Sequence, residues 1–147
     1  MKRISLFLLL VLAALSIFAQ ETEKKVIFSE KAPKVVGPYS QAIMVGNTLY
    51  VSGNIGINPE NGEMDTLNFE NEFKRVMMNL EAVLAEAGMS YKNVVKATVY
   101  LINLDNYKLM NSLYAEYFQE APPARETVEV AALPKGAHIE ISCIAVR

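Results

Sequence analysis

Residues 66–101 read TLNFENEFKRVMMNLEAVLAEAGMSYKNVVKATVYL, and their period changes part-way along. From 66 to 87 the apolar side chains Phe69, Phe73, Val76, Met77, Leu80, Val83, Leu84 and Ala87 fall at steps of three and four. That is the spacing of an amphipathic helix with a wide apolar stripe. Asp65 or Asn68 can cap its start, and Gly88 stands where a left-handed terminator belongs. From Val94 to Leu101 the period drops to two and β-branched residues dominate, with Val95, Ala97, Val99 and Leu101 on one side, as in a half-buried strand.

Working outward, the same two periods recur. Upstream, Val26–Phe28, Tyr39–Val45 and Thr48–Ser52 are strand-like, the last two joined by Gly46-Asn47 as a hairpin turn. Gly53 to Gly62 holds glycines, asparagines and Pro59, and reads as a loop. Downstream, Asp105 is expected to cap a second helix, 106–118, whose apolar side is Tyr107, Met110, Tyr114, Tyr117 and Phe118, ended by Pro122-Pro123. Arg125–Val130 and Ile139–Val146 read as the last two strands, joined through Leu133–Ala137. Strands grouped around two helices predict an α+β domain, one sheet with both helices on one face. The uncovered face of mostly apolar strands then predicts packing against other subunits.

The first nineteen residues are a separate object. Lys2 and Arg3 precede an unbroken apolar run from Leu6 to Leu15, and Ala19 precedes the polar Gln20 and Glu21. A charged start, a short apolar middle and a small residue before a polar segment describe a secretory signal peptide, residues 1–19, cleaved after Ala19. The expectation is a periplasmic or secreted protein, free of the membrane after cleavage, with a domain over 20–147. Residues 20–25 (QETEKK) are polar and expected to fray.

Composition excludes several classes. The chain of 147 residues carries a formal net charge of −2, and losing Lys2 and Arg3 takes it to −4. That balance argues against nucleic acid as a partner, because such binders present a basic stripe. One cysteine and one histidine supply neither a disulfide nor a zinc site of the usual ligand set, so no metal is expected. No phosphate-cradling glycine loop or catalytic-triad order is present, and no cofactor is expected. Cys143 sits in an apolar strand with Ile141 and Ala145 on its face, where a buried thiol is a poor nucleophile. His138 reads as an exposed loop-edge residue.

Two charged residues interrupt apolar strands. Arg125 either makes a structural salt bridge or presents its planar fork to a carboxylate. Glu140, between Ile139 and Ile141, is either paired with a cation or poised as an acid/base with a raised pKa.

Gly37-Pro38-Tyr39-Ser40-Gln41-Ala42 closely resembles the GPYSQA motif of the RidA (YjgF-like) family of imine deaminases. Five further stretches agree in order: Val51-Ser52-Gly53; Asn79–Leu84 through Ala87-Gly88; Val94–Leu101; Pro123-Ala124-Arg125; and Leu133–Ala137 with Ile139-Glu140-Ile141. The match spans about residues 26–147. The resemblance implies a chorismate-mutase-like α+β fold, a homotrimer with three inter-subunit clefts, and no cofactor. It implies that Arg125 holds the substrate carboxylate and that Glu140 positions or activates water. Tyr39, Ser52 and Gly53 are implied to line the pocket, with Asn111 and Thr127 as further substrate-binding positions.

The function expected from this resemblance is hydrolysis of 2-imino or enamine acids to 2-keto acids and ammonia. The alternative is a protein that binds small carboxylates in the same cleft without turnover. A third activity, the RNA cleavage reported for some relatives, fits poorly with a charge of −4 and with export. If 125–131 and 139–145 paired as a hairpin, Arg125 would lie far from Glu140, so the two share one cleft only if a bulge intervenes or neighbouring subunits contribute one each; the second is expected. The family's SGQIP segment reads Ser52-Gly53-Asn54-Ile55-Gly56 here, and Gly56 in place of proline predicts a more mobile loop.

Overall fold

The computed structural model describes residues 23–65 and 67–147. The segment read as a signal peptide, 1–19, lies outside the described residues. One six-stranded sheet carries the domain, in the order β1-β2-β3-β6-β4-β5. Its strands are β1 (Lys24–Ile27), β2 (Ala42–Val45), β3 (Thr48–Asn54), β4 (Val94–Leu101), β5 (Ala124–Glu129) and β6 (Ile139–Val146), with helices α1 (Phe69–Glu86) and α2 (Tyr107–Tyr117).

The long helix forms as its periodicity predicts. Of the two candidate caps, Asn68 is used: its side chain accepts from Asn71 N at 2.9 Å. Gly88, at φ +68°, ends it, with Met89 N donating to Leu84 O and Gly88 N to Ala85 O, both at 2.9 Å. That pair of bonds satisfies the terminal carbonyls and needs the left-handed residue that glycine supplies without strain. Phe73, Val76, Met77, Leu80, Val83 and Leu84 are buried against the sheet. Each such side chain contributes about 1.5–3 kcal/mol relative to exposure.

Both helices cover one face. Along β6, Ile139, Ile141, Cys143 and Ala145 are buried beneath them, while Glu140, Ser142, Ile144 and Val146 alternate onto the other side. There Ile43, Tyr50, Tyr100, Ile144 and Val146 leave an apolar surface part-exposed.

Several expectations are corrected. Lys24 and Lys25, expected to fray, pair with Val45 and Met44 at the start of β1. The last two strands form no hairpin. β5 runs parallel to β4, and β6 is inserted between β3 and β4. The physical reason lies in composition. IEISCIAV can be covered on both edges, whereas β5 (ARETVE) carries Glu126 and Glu129, charges that suit a sheet edge. A parallel pair needs a crossover, which α2 supplies. In β4 a register shift between Val94 and Lys96 turns Val95 outward and puts Val94 in the core. Asp105 does not cap the second helix. It lies within a 3-10 turn, Leu104–Asn106, whose cap is Asn103, accepting from Asp105 N at 2.8 Å. Tyr107 is exposed and Leu113 is buried, so the inner side of α2 begins one turn later than its aromatic residues suggested.

Candidate active site

The GPYSQA segment is fastened at Ser40 and Gln41. Buried Gln41 accepts from Ser29 N at 2.6 Å and donates to Ser29 O at 3.1 Å and Pro33 O at 2.9 Å. Ser52 donates its N–H to Gln41 O at 3.0 Å and its hydroxyl to Ser40 O at 2.7 Å. These bonds hold Tyr39 over the end of β3, where the register with β6 shifts between Val51 and Asn54. The result is a cavity of about 400 Å³ lined by Tyr39, Ser52, Gly53, Asn54, Glu140 and Lys34 among others.

Gly53 is where the backbone meets the carboxylate. A Cβ there would lie 1.9 Å from Glu140 Oε1, so only glycine leaves the Glu140 side chain its place. Partial burial pushes the Glu140 carboxyl above its ordinary pKa. Among the described residues no cation pairs with it within this chain.

A second group forms on the helix-covered side of β5. Arg125 donates to Asn111 Oδ1 at 2.5 Å and to Met110 Sδ at 3.7 Å, and its guanidinium carbon lies 4.6 Å from the centre of the Tyr114 ring. The ring and amide hold the fork by stacking and one hydrogen bond. Among the described residues no carboxylate of this chain pairs with Arg125. Tyr107 joins this group: the neighbouring Asn111 and Arg125 lower its phenol pKa. Burial pushes the Tyr114 phenol up to about 12, with Arg125 opposing. Thr127 lies two residues along the same side of β5, its hydroxyl buried and without a partner among the described residues.

The seven residues singled out from sequence therefore fall into two groups. Tyr39, Ser52, Gly53 and Glu140 line one cavity; Arg125, Asn111 and Thr127 lie on the side of β4–β5 that the helices cover. The chain brings no member of one group to the other.

Three further residues have contacts that sequence reasoning missed. Glu72 is completely buried, and its carboxylate accepts from His138 N at 2.7 Å and Ile139 N at 3.4 Å and bonds His138 Nδ1 at 2.7 Å. A signal existed: Glu72 lies between Phe69 and Val76 on the apolar stripe of α1. His138 is exposed, as expected of a loop edge, and it is also a partner of this carboxylate. Gly56 packs against Glu72. It is buried, and a Cβ there would lie 2.6 Å from Glu72 Cγ, so glycine allows a close approach. Among the described residues no three histidine, cysteine or carboxylate side chains are grouped to hold a metal ion, and no helix is long and apolar enough to cross a membrane.

Comparison with known proteins joins these features. Residues 29–147 match the family model described as Endoribonuclease L-PSP, the YjgF/RidA family. The chain belongs to this family. It is 53% identical over 122 residues to a RutC family protein of Pyrococcus abyssi, covering 83% of this chain and 96% of that protein. It is 43% identical over 124 residues to the 2-iminobutanoate/2-iminopropanoate deaminase of Bos taurus, covering 84% and 90%. The solved RidA from the Antarctic bacterium Psychrobacter superposes with a TM-score of 0.81 at 41% identity, covering 84% of this chain and 99% of that one. The RidA-type α+β sheet with two helices is thus the fold of this chain.

Proposed function

We propose that this RidA-family chain hydrolyses 2-imino or enamine acids to 2-keto acids and ammonia, in clefts between the subunits of a homotrimer. The observation that carries this is the separation of two complementary half-sites. One presents a cation suited to a carboxylate, Arg125, and the other a half-buried carboxylate beside a cavity, Glu140. They lie on opposite faces of one sheet, so a neighbouring copy must supply the missing half. The part-exposed apolar face around Tyr50, Tyr100 and Ile144 offers the contact surface. Relatives named 2-iminobutanoate/2-iminopropanoate deaminase support the reaction class.

The chemistry follows from the groups present. Arg125 binds the substrate carboxylate through two parallel hydrogen bonds and fixes the adjacent imine carbon. An enamine first gains a proton from solvent on carbon to become the iminium, and the proton that Glu140 later takes from water returns to solvent. Water then attacks the iminium carbon, forming the C–O bond as Glu140 takes the water proton. A carboxylate whose burial raises its pKa is the stronger base for this step. The tetrahedral intermediate passes its hydroxyl proton to nitrogen, the C–N bond breaks, and ammonia leaves with the 2-keto acid behind.

The test is imine loss in the presence of purified protein, with an amino-acid oxidase generating imines and semicarbazide trapping them. Faster loss, abolished by Arg125→Ala and by Glu140→Ala, supports the proposal. No acceleration from a folded trimer across several amino acids sinks it and leaves carboxylate binding without turnover. Export belongs to the same proposal. It is tested by the N-terminus of the mature protein, expected at Gln20.

A further inference from the structure

A carboxylate on the apolar stripe of a helix costs desolvation that leucine or alanine would not incur. Glu72 nevertheless stands there, and among the described residues it is the one completely buried carboxylate. Its two oxygens are spent on one short stretch of chain. One accepts from His138 N at 2.7 Å and Ile139 N at 3.4 Å, and the other meets His138 Nδ1 at 2.7 Å. Such charge-assisted bonds are shorter and stronger than neutral ones. Ile139 opens β6, and Glu140 is the next residue.

The other side of Glu72 faces the opposite wall of the cavity. Gly56 packs on its side chain so closely that a Cβ would fall 2.6 Å from Cγ. Asn79, also on α1 and buried, donates to Ile55 O at 3.1 Å and Ile57 O at 2.9 Å. Ile55, Ile57 and Glu140 all line the cavity. One helix thus sets both walls, and Glu72 is wedged between them.

We propose that Glu72 is a positioning residue for Glu140: its buried carboxylate fixes the entry of β6 and so the direction of the Glu140 side chain into the cavity. The proposal rests on the reading of Glu140 as the group that activates water. Glu72 touches no substrate, and its effect passes through two backbone N–H groups. Misplacement of a catalytic group by about 1 Å costs on the order of a hundredfold in rate.

The test compares wild type with Glu72→Ala, Glu72→Gln and Gly56→Ala, all in the full chain. Two readouts are followed: the titration of the Glu140 carboxyl by carbon NMR, and the kinetics of imine hydrolysis with its acid limb. The other titratable groups about Glu140 are Lys34 and Tyr39 in the cavity, Tyr100 opposite it on β4 and, in the proposed cleft, Arg125 of a neighbouring copy, and none is altered. In Glu72→Ala, Glu140 is expected to titrate closer to an ordinary glutamate, and the acid limb moves with it. The kcat falls roughly 10- to 100-fold while KM, set by Arg125, holds within about threefold.

Glu72→Gln is expected to restore both readouts. Its carbonyl oxygen accepts the two N–H groups, and its amide donates to His138 Nδ1 in the tautomer protonated on Nε2. Gly56→Ala, with Glu72 intact but displaced, is expected to behave like Glu72→Ala, and it carries the test if Glu72→Ala does not fold. An unmoved Glu140 titration in both displaced variants overturns the proposal, as does a Glu72→Gln enzyme as defective as Glu72→Ala. A wild type that hydrolyses no imine defeats the catalytic reading alone, and the NMR titration still decides the positioning role.

Discussion

Within one chain Arg125 and Glu140 face away from each other. Arg125 pairs in register with Ala97 on the side of the sheet that the helices cover, and Glu140 pairs with Tyr100 on the side they leave open. β4 lies between their strands. A site that uses both groups therefore draws them from two chains.

This arrangement predicts complementation. Arg125→Ala and Glu140→Gln are each expected to abolish activity as pure proteins. Unfolded together in equal amounts and refolded as a mixture, they re-form about a quarter of the inter-subunit sites with both groups intact, by random assembly of identical interfaces. Activity near a quarter of wild type is the expected reading in the imine-trapping assay. A mixture as inactive as its parents, though trimeric by light scattering, would place both groups in one chain's site and remove the split-site account.

Gly53→Ala is expected to separate fold from chemistry. The new Cβ would lie 1.9 Å from Glu140 Oε1 and 2.7 Å from its Cδ, so the side chain must swing out of the cavity. Gly53 is exposed and its φ lies outside the left-handed region, so the backbone accepts alanine. The melting temperature should stay close to wild type while kcat falls roughly 10- to 100-fold, the range expected for a displaced catalytic base. Unchanged kcat in this variant counts against Glu140 as the base.

Much of this was legible in the sequence because it is local. The stripe from Phe69 to Leu84, the Asn68 cap and the Gly88 terminator need only helix geometry, and each is found where the spacing puts it. Strand order was not legible, because pairing is set by partners far along the chain. IEISCIAV and ARETVE adjoin in sequence yet are separated by β4 in space. The side chains that line the cavity were reached through motif resemblance, and their division into two half-sites required the sheet. Glu72 was overlooked because a charged residue in a helix is usually solvated. Its burial depends on a β6 backbone that lies more than sixty residues away.

Cys143 is expected to be inert in the folded protein. Burial pushes its thiol up to about 12, which leaves almost no thiolate at neutral or mildly alkaline pH. Iodoacetamide at mildly alkaline pH should leave the native chain unmodified and alkylate it fully once denatured. The sign for stability follows from the same shift. A thiol raised on folding favours the fold below the ordinary thiol range, and this contribution is lost as pH rises through about 12. Rapid labelling of the native protein would show that the helices do not seal this face of β6.

Partial burial gives Glu140 a stability cost when it is ionised. Its carboxyl is raised by partial burial, so the folded state binds the proton more tightly than the unfolded chain does. For such a group the favourable contribution is complete below the unfolded glutamate pKa and is lost as pH rises through the folded value. At neutral pH the ionised side chain therefore works against the fold. Glu140→Gln removes that charge and keeps the shape, so it should raise the melting temperature at neutral pH, with the gain shrinking as pH falls into the ordinary glutamate range. The measurement is thermal unfolding of both proteins across that window. A gain at neutral pH together with lost activity is the pattern of a group held for function at the expense of stability. A variant less stable than wild type at neutral pH and level with it in acid would reverse the sign, and would mean that the ionised carboxylate has a cationic partner in the assembled protein.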